Sequence, residues 1–410
     1  MQTYTPYLEW IKTQQNRFQN HVKKWSKINS YSTYLPGLAE LTRALKEDFA
    51  CLGGDVQLIP LPPRQIVDDL GNIANDQLGS AILFKKRPLA PLQIFLAGHM
   101  DTVFPPTSPF QNVEEISPAV WQGPGVTDMK GGLAIMLIAL EALERAPFAE
   151  KIGWEILINP DEEIGSPGSG SLFEAAAQRN HLGMIFEPSF PDGAFVSERK
   201  GSANYTAIVR GKAAHAGRDF TQGRSAIYAL AELIHKIEAM QLADPDLIIN
   251  IGRIEGGGPT NIVPDLAIAK INVRSSKEEA MQNSLIELKK IAALVQCREG
   301  IRIHLVSETI RFPKPFNHQV QQLFSHYADC AKQLNVPFSL RATGGVCDGN
   351  ILAHAGLPVL DSLGAIGGNL HTHQEYLLLP SLVERGQLAA LFLLKLASGE
   401  IALTQELFRV

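Results

Sequence analysis

Cysteine is scarce in this sequence and never paired at short range. The four, Cys51, Cys297, Cys330 and Cys347, stand far apart with no C-x-x-C, which argues against both a disulfide framework and a thiolate metal site. A reduced, cytoplasmic setting fits. Long apolar runs are also missing. The strongest, GGLAIMLIALEAL at 131–143, is too short for a bilayer span and reads as a buried helix. The N-terminal stretch has spaced apolar residues among polar ones, so it reads as an amphipathic helix and lacks the continuous apolar segment of a secretory signal. Neither sign of charge dominates. A formal net charge of -5 gives no electrostatic reason to expect nucleic acid or an anionic membrane as partner. Internal repeats and low-complexity tracts are absent, which leaves small-molecule chemistry as the default.

What is present is ordinary globular material in generous length. With 410 residues, 45% hydrophobic and 19% charged, the chain exceeds what one core usually serves and predicts two domains. Residues 92–98 (LQIFLAG), 153–160 (GWEILINP) and 182–188 (LGMIFEP) are short continuous apolar runs, the pattern of strands buried on both faces. Helical stretches at 131–146 and 168–180 alternate with them, predicting an α/β fold with a mostly parallel sheet and helices on both faces. From residue 201 to 311 the order becomes β-α-β-β-α-β, the split arrangement of a ferredoxin-like unit. RFPKPF at 311–316 reads as a linker. The expected domains are therefore 1–200 with 312–410, and an inserted 201–311.

Ligands of open α/β sheets gather beyond the carboxyl ends of the strands, and acids and imidazoles stand there in this chain. His99 and Asp101 follow the first run, Asp161, Glu162 and Glu163 the second, and Glu187 closes the third. Adjacent carboxylates repel and are costly to desolvate unless positive charge arrives. A solvated acidic turn is one reading; a pair of divalent cations is the other, since mixed imidazole and carboxylate suits zinc, cobalt or manganese. On that reading His99 is a ligand and Asp101 orients it, because bound imidazoles usually donate their other N–H to a carboxylate or carbonyl. Asp128, in the glycine-rich GPGVTDMKGGL, is either a helix-start acid or a further ligand. His371 and His373 in GGNLHTHQEYL compete for one role.

Seven motifs in one order then carry a resemblance. GHMDTVFP, GPGVTDMKGG, PDEEIGS, FEPS, GKAAHAG, GGGPTNIVP and a final H-x-x-x-E, between about residues 95 and 376, resemble the two-metal aminoacylase and carboxypeptidase family. That family includes glutamate carboxypeptidase, acetylornithine deacetylase and succinyl-diaminopimelate desuccinylase, and HMDTVFP and GKAAHAG are most similar to the glutamate carboxypeptidase branch. The resemblance implies a zinc-exopeptidase-like sheet with two divalent metals, zinc first, cobalt or manganese as alternatives. It implies that Asp128 bridges them, that His99 and Glu187 complete one site, and that Glu163 and His371, which begins the H-x-x-x-E ending at Glu375, complete the other. Glu162 becomes the general base. The charges agree: four positive from the metals meet Asp128, Glu163, Glu187 and a hydroxide, leaving Glu162 free to exchange a proton.

The same resemblance assigns the inserted unit to dimerisation and to closing over the cleft. His215 of GKAAHAG becomes an oxyanion stabiliser reaching the partner subunit's site, and Arg274 with Asn261 grips the substrate carboxylate. One position departs: Cys347, in ATGGVCDGN, stands where serine is expected. The implied activity is hydrolysis of an amide next to a free carboxylate, glutamate release first and N-acyl amino acid deacylation second, on a peptide or N-acyl amino acid. A non-catalytic binding relative is the third reading, disfavoured because a binder needs ligands but no Glu162.

Overall fold

The continuous apolar runs become neighbouring strands covered on both sides. The computed structural model describes residues 4–403; residues 1–3 and 404–410, which the expected catalytic domain includes, lie outside the described residues. A six-stranded sheet contains β1 (Asp55–Pro60), β2 (Ser80–Lys86), β3 (Leu92–His99), β4 (Ile152–Asn159), β5 (Leu182–Ile185) and the short Val359–Leu360. Their spatial order is β1-β2-β4-β3-β5 and then Val359–Leu360. β4, β3, β5 and Val359–Leu360 are parallel, while β2 runs against both of its neighbours. The third run is a strand only as far as Ile185; Phe186 N–H still donates to the Ala97 carbonyl at 3.1 Å, and Glu187 continues into the space beyond the strand ends.

Alternation along β3 explains its unbroken hydrophobicity. Ile94 and Leu96 join the core under the helices Gly132–Glu144 and Pro380–Ser398, while Phe95 and Ala97 join the core under Gly170–Ala177. Each fully buried Ile, Leu or Phe among them contributes about 1.5–3 kcal/mol. The helix Gly132–Glu144 lies so close to the strand ends that a Cβ on Gly132 would stand 2.0 Å from the Phe186 carbonyl oxygen. Only glycine permits that approach.

Residues 201–311 build a second sheet with its own core. β6 (Gly201–Arg210), β7 (Ile248–Gly256), β8 (Leu266–Ser275) and β9 (Arg302–Arg311) pair antiparallel in the order β7-β8-β6-β9. Helices Ala226–Ala243 and Glu278–Gln296 cover one face, packing Leu230, Leu233, Leu288 and Val295 against Tyr205 and Ile271. The two crossings between the sheets run side by side. Arg199 and Lys314 exchange backbone hydrogen bonds of 3.0 Å, and Ser202 of β6 stands opposite Arg311 of β9.

A small third sheet was not foreseen. It orders Gly367–Gly368, Tyr376–Leu378, Val120–Gln122 and Glu114–Ser117 side by side, and so brings the glycine-rich loops before Asp128 and before His371 together. Among the described residues no helix is long and apolar enough to cross a membrane.

Candidate metal centre

The strand ends deliver the predicted side chains to one place. His99 is the last residue of β3, the turn Glu162–Ile164 follows β4, and Glu187 lies just past β5. His99 Nε2 is 3.1 Å from Asp128 Oδ1 and 3.8 Å from Glu187 Oε1. His371 Nε2 is 3.3 Å from Asp128 Oδ2 and 3.2 Å from Glu163 Oε2. Asp128 thus stands between the two imidazoles, one carboxylate oxygen toward each. Donor atoms of His99, Asp128 and Glu163 lie within 4.8 Å of one another, as do those of His99, Glu162 and Glu187. His371 holds its position with φ at 62°, a left-handed backbone that costs a histidine roughly 1–2 kcal/mol.

Asp101 stands against His99 and uses its backbone and its side chain separately. Its backbone carbonyl, 3.0 Å from His99 Nδ1, fixes that imidazole. Its fully buried carboxylate accepts from the N–H groups of Glu162 and Glu163 at 3.2 and 3.1 Å and from Ser32 Oγ at 2.7 Å. One aspartate therefore orients the imidazole and the diglutamate turn together.

Three further residues carry the frame, and sequence reading gave them no such role. Asp161, the first of the three adjacent acids, accepts from Gly168 N–H, Ser169 N–H and Ser169 Oγ at 2.8, 3.1 and 2.6 Å, so it closes the loop leading to the next helix. Glu375 accepts from the N–H groups of Gly125, Thr127 and Asp128 at 3.0, 2.9 and 3.0 Å, cradling the loop that carries Asp128. The H-x-x-x-E spacing was its only signal. Arg311 donates to Glu162 Oε1 at 2.7 Å.

Among the described residues, the ion-pair partners of Asp128, Glu163 and Glu187 are imidazoles only. Burial, reinforced by the Asp128 charge, pushes the Glu163 carboxyl up to about 8. Burial likewise holds Glu187 well above the carboxylate range, with Asp128 and Glu162 adding to it. Burial opposes ionisation of Asp128 too, yet the bonds to His371 and His99 keep it below its usual value. The bond between Asp128 and His371, with the one to Glu163, raises His371 to about 11. A protein that leaves three buried acids facing two imidazoles has a donor set short of positive charge, and this chemistry fits divalent cations.

The other sequence candidates lie elsewhere. His373 stacks on Phe110 with ring centroids 5.6 Å apart and meets Ser108 Oγ at 3.2 Å, outside the imidazole–carboxylate group. Exposed His215 accepts from Gly217 and Arg218 N–H at 3.1 and 3.2 Å, beside the equally exposed Asn261, whose carbonyl accepts from Ala216 N–H at 2.9 Å. Neither lines the cleft of about 320 Å³ over Glu162 and Glu187, which is walled by Phe190, Arg199, Val346 and Leu370. Arg274 donates to the carbonyl of Gly344 at 2.6 Å, between the rim residues Thr343 and Gly345. Cys347 is buried against Asp361, 3.6 Å from Oδ2.

A mostly parallel sheet with imidazoles and acids converging beyond its strand ends, interrupted in the chain by a separate sheet, has the build of a metal-dependent hydrolase. The sequence model of Peptidase family M20/M25/M40 matches residues 95–395, and the chain belongs to that family. It is 26% identical over 331 residues to carboxypeptidase G2 of Pseudomonas sp. (strain RS-16), covering 79% of this chain and 78% of that protein. It is 27% identical over 301 residues to succinyl-diaminopimelate desuccinylase of Acinetobacter baylyi, covering 68% and 77%. The solved M20 family metallo-carboxypeptidase of Sulfolobus solfataricus shares the fold with a TM-score of 0.71 at 17% identity, over 92% of this chain and 98% of that one.

Proposed function

We propose that this hydrolase binds two divalent metal ions, zinc first with cobalt or manganese as alternatives, and cleaves an amide bond next to a free carboxylate. Glutamate release from a peptide or N-acyl substrate is the leading activity, and N-acyl amino acid deacylation is the alternative. His99, Asp128 and Glu187 would hold one ion and Asp128, Glu163 and His371 the other. Bound there, such ions polarise a carbonyl and make hydroxide available near neutral pH.

The observation that carries the reading is the split environment of the diglutamate. Both line the cleft, but among the described residues the ion-pair partner of Glu163 is His371, whereas Glu162 has a guanidinium partner in Arg311. A carboxylate paired by protein has less call for a metal, and with Oε1 held by Arg311 its second oxygen is left for proton transfer. Glu162 takes the proton of the attacking water and returns it to the departing amine, worth roughly 10²- to 10⁴-fold in rate. Asp101 holds the turn that aims it.

Residues 1–200 and 312–410 would form the catalytic domain, and 201–311 a lid and homodimer interface. Exposed Phe220, Ile227, Tyr228 and Ile262 on one side of that unit, and the unpaired edge of β7 with exposed Ile248 and Ile254, support a protein partner there. Because His215 and Asn261 stand away from this chain's own cleft, they suit a role in the partner's: His215 on the developing oxyanion, Asn261 on the substrate. Arg274, already at the rim, suits the substrate carboxylate. All four cysteines are free, which favours a reducing, cytoplasmic location.

The test is a panel of C-terminal glutamyl peptides and N-acyl amino acids, hydrolysed with and without chelator. Activity should disappear with chelator and return with zinc, cobalt or manganese. Glu162→Gln should retain metal and lose turnover; wild-type rates from that variant would remove the assigned base.

A further inference from the structure

Arg311 is buried to 5% exposure at the last position of β9, yet its side chain leaves its own sheet. Nη1 donates to Glu162 Oε1 at 2.7 Å, and Nη2 donates to Ser166 Oγ at 2.7 Å and Asp348 Oδ1 at 2.9 Å, with a longer 3.4 Å contact to the Glu162 carbonyl. The anchor end is itself fixed. Asn159, at the end of β4, donates to Asp348 Oδ2 at 2.9 Å, and Ser166 Oγ donates to Asp348 Oδ1. Three side chains from two segments around the catalytic sheet, Glu162 and Ser166 from one loop and Asp348 from another, therefore hold a guanidinium that belongs to the inserted unit.

We propose that Arg311 is a positioning residue for the hydrolysis: it ties one oxygen of Glu162 and thereby aims the other into the cleft. The proposal rests on the reading of Glu162 as the base. A glutamate side chain at a cleft wall has three rotatable bonds, and a base must lie within about 2.6–3.2 Å of the proton it takes. Left alone, Glu162 would distribute over several rotamers. The planar fork of an arginine suits the task because its geometry lets two nitrogens reach two acceptor groups in fixed directions. A lysine ammonium has the charge but not the span to keep Glu162, Ser166 and Asp348 together.

The experiment uses the full-length metal-loaded protein and the best substrate of the panel above. Misplacing a catalytic group by about 1 Å can cost roughly 10²-fold, so Arg311→Met should lower kcat by about that factor. KM should stay within about threefold, because a group acting on the transition state alone leaves substrate binding unchanged. Metal bound per chain should match wild type. The decisive readout is a double-mutant cycle: Arg311→Met added to Glu162→Gln should cost nothing further, since the residue being aimed has already gone. Wild-type kcat in Arg311→Met, or losses that multiply in the double variant, would overturn the proposal while leaving the base in place. Full activity of Glu162→Gln would instead remove the base itself, and the proposal with it. Should Arg311→Met fail to fold, Arg311→Lys keeps the buried charge and decides the matter. A fall in kcat of about tenfold at unchanged KM supports aiming by the fork, and an unchanged kcat refutes it.

Discussion

Glu375 offers the sharpest test of how the site is built. Its carboxylate is 1% exposed and accepts three backbone N–H groups, from Gly125, Thr127 and Asp128. Truncation in Glu375→Ala leaves all three donors without a partner, and each buried orphan costs about 1–3 kcal/mol. Water entering the vacated volume recovers part of this, so a loss of about 3–5 kcal/mol is expected. Glu375→Gln keeps one carbonyl oxygen for Thr127 and Asp128 but turns an NH₂ toward the Gly125 N–H, for a loss of about 1–3 kcal/mol. The order wild type, Gln, Ala should hold in urea unfolding followed with chelator present, so that metal does not mask it. Because the loop carries Asp128, metal affinity by calorimetry should also fall by roughly 10- to 100-fold, the usual effect of losing a residue that orients a ligand. An alanine variant that unfolds like wild type and binds metal equally well would refute the cradle.

Three further outcomes follow from the same structure. Chelation should lower the melting temperature, and metal at about 100 times its Kd should restore about 2.7 kcal/mol of stability; a melting curve indifferent to metal would count against a native-state site. Gly132→Ala should cost at least about 1–3 kcal/mol in urea unfolding, because its methyl would meet the Phe186 carbonyl oxygen at 2.0 Å. Asp246 titrates below its usual value: burial pushes its carboxyl up, but bonds from Ser275, Lys200 and Ser276 outweigh this. A depressed carboxylate stabilises above its unfolded pKa, near 3.8, and that contribution disappears as pH falls through the folded value. Asp246→Asn should therefore be less stable than wild type at neutral pH, by under about 1 kcal/mol after screening, and the difference should close on acidification.

Legibility followed from where each signal resides. β3 and β4 were readable because a strand buried on both faces is an unbroken apolar run, and their ends located His99 and the diglutamate. β1 was not, since Asp55–Pro60 is almost wholly exposed and its brief D-V-Q-L alternation is too short to mark a strand. The ferredoxin-like order of 201–311 was readable because its strands and helices alternate cleanly. The small sheet that joins the two glycine-rich loops was not, because its strands are only two to four residues long. Glu375 was half visible: its spacing from His371 showed, but the groups it receives are backbone N–H, which no side-chain pattern reveals. Arg311 was hidden for another reason. It ends a strand beside two prolines, in a segment that reads as a linker, and its partner Glu162 is 149 positions away.

The ladder of contacts at the two crossings has a consequence for how such a chain could arise. Because Arg199 and Lys314 already bond to each other through their backbones, a tight two-residue hairpin could join them in place of everything between. The intervening module could thus be grafted in or excised at a single locus without disturbing the remaining ladder. A protein so trimmed would keep its imidazoles and acids but forfeit the guanidinium beside Glu162, so ancestry by insertion would have brought that guanidinium and the second sheet in one stroke.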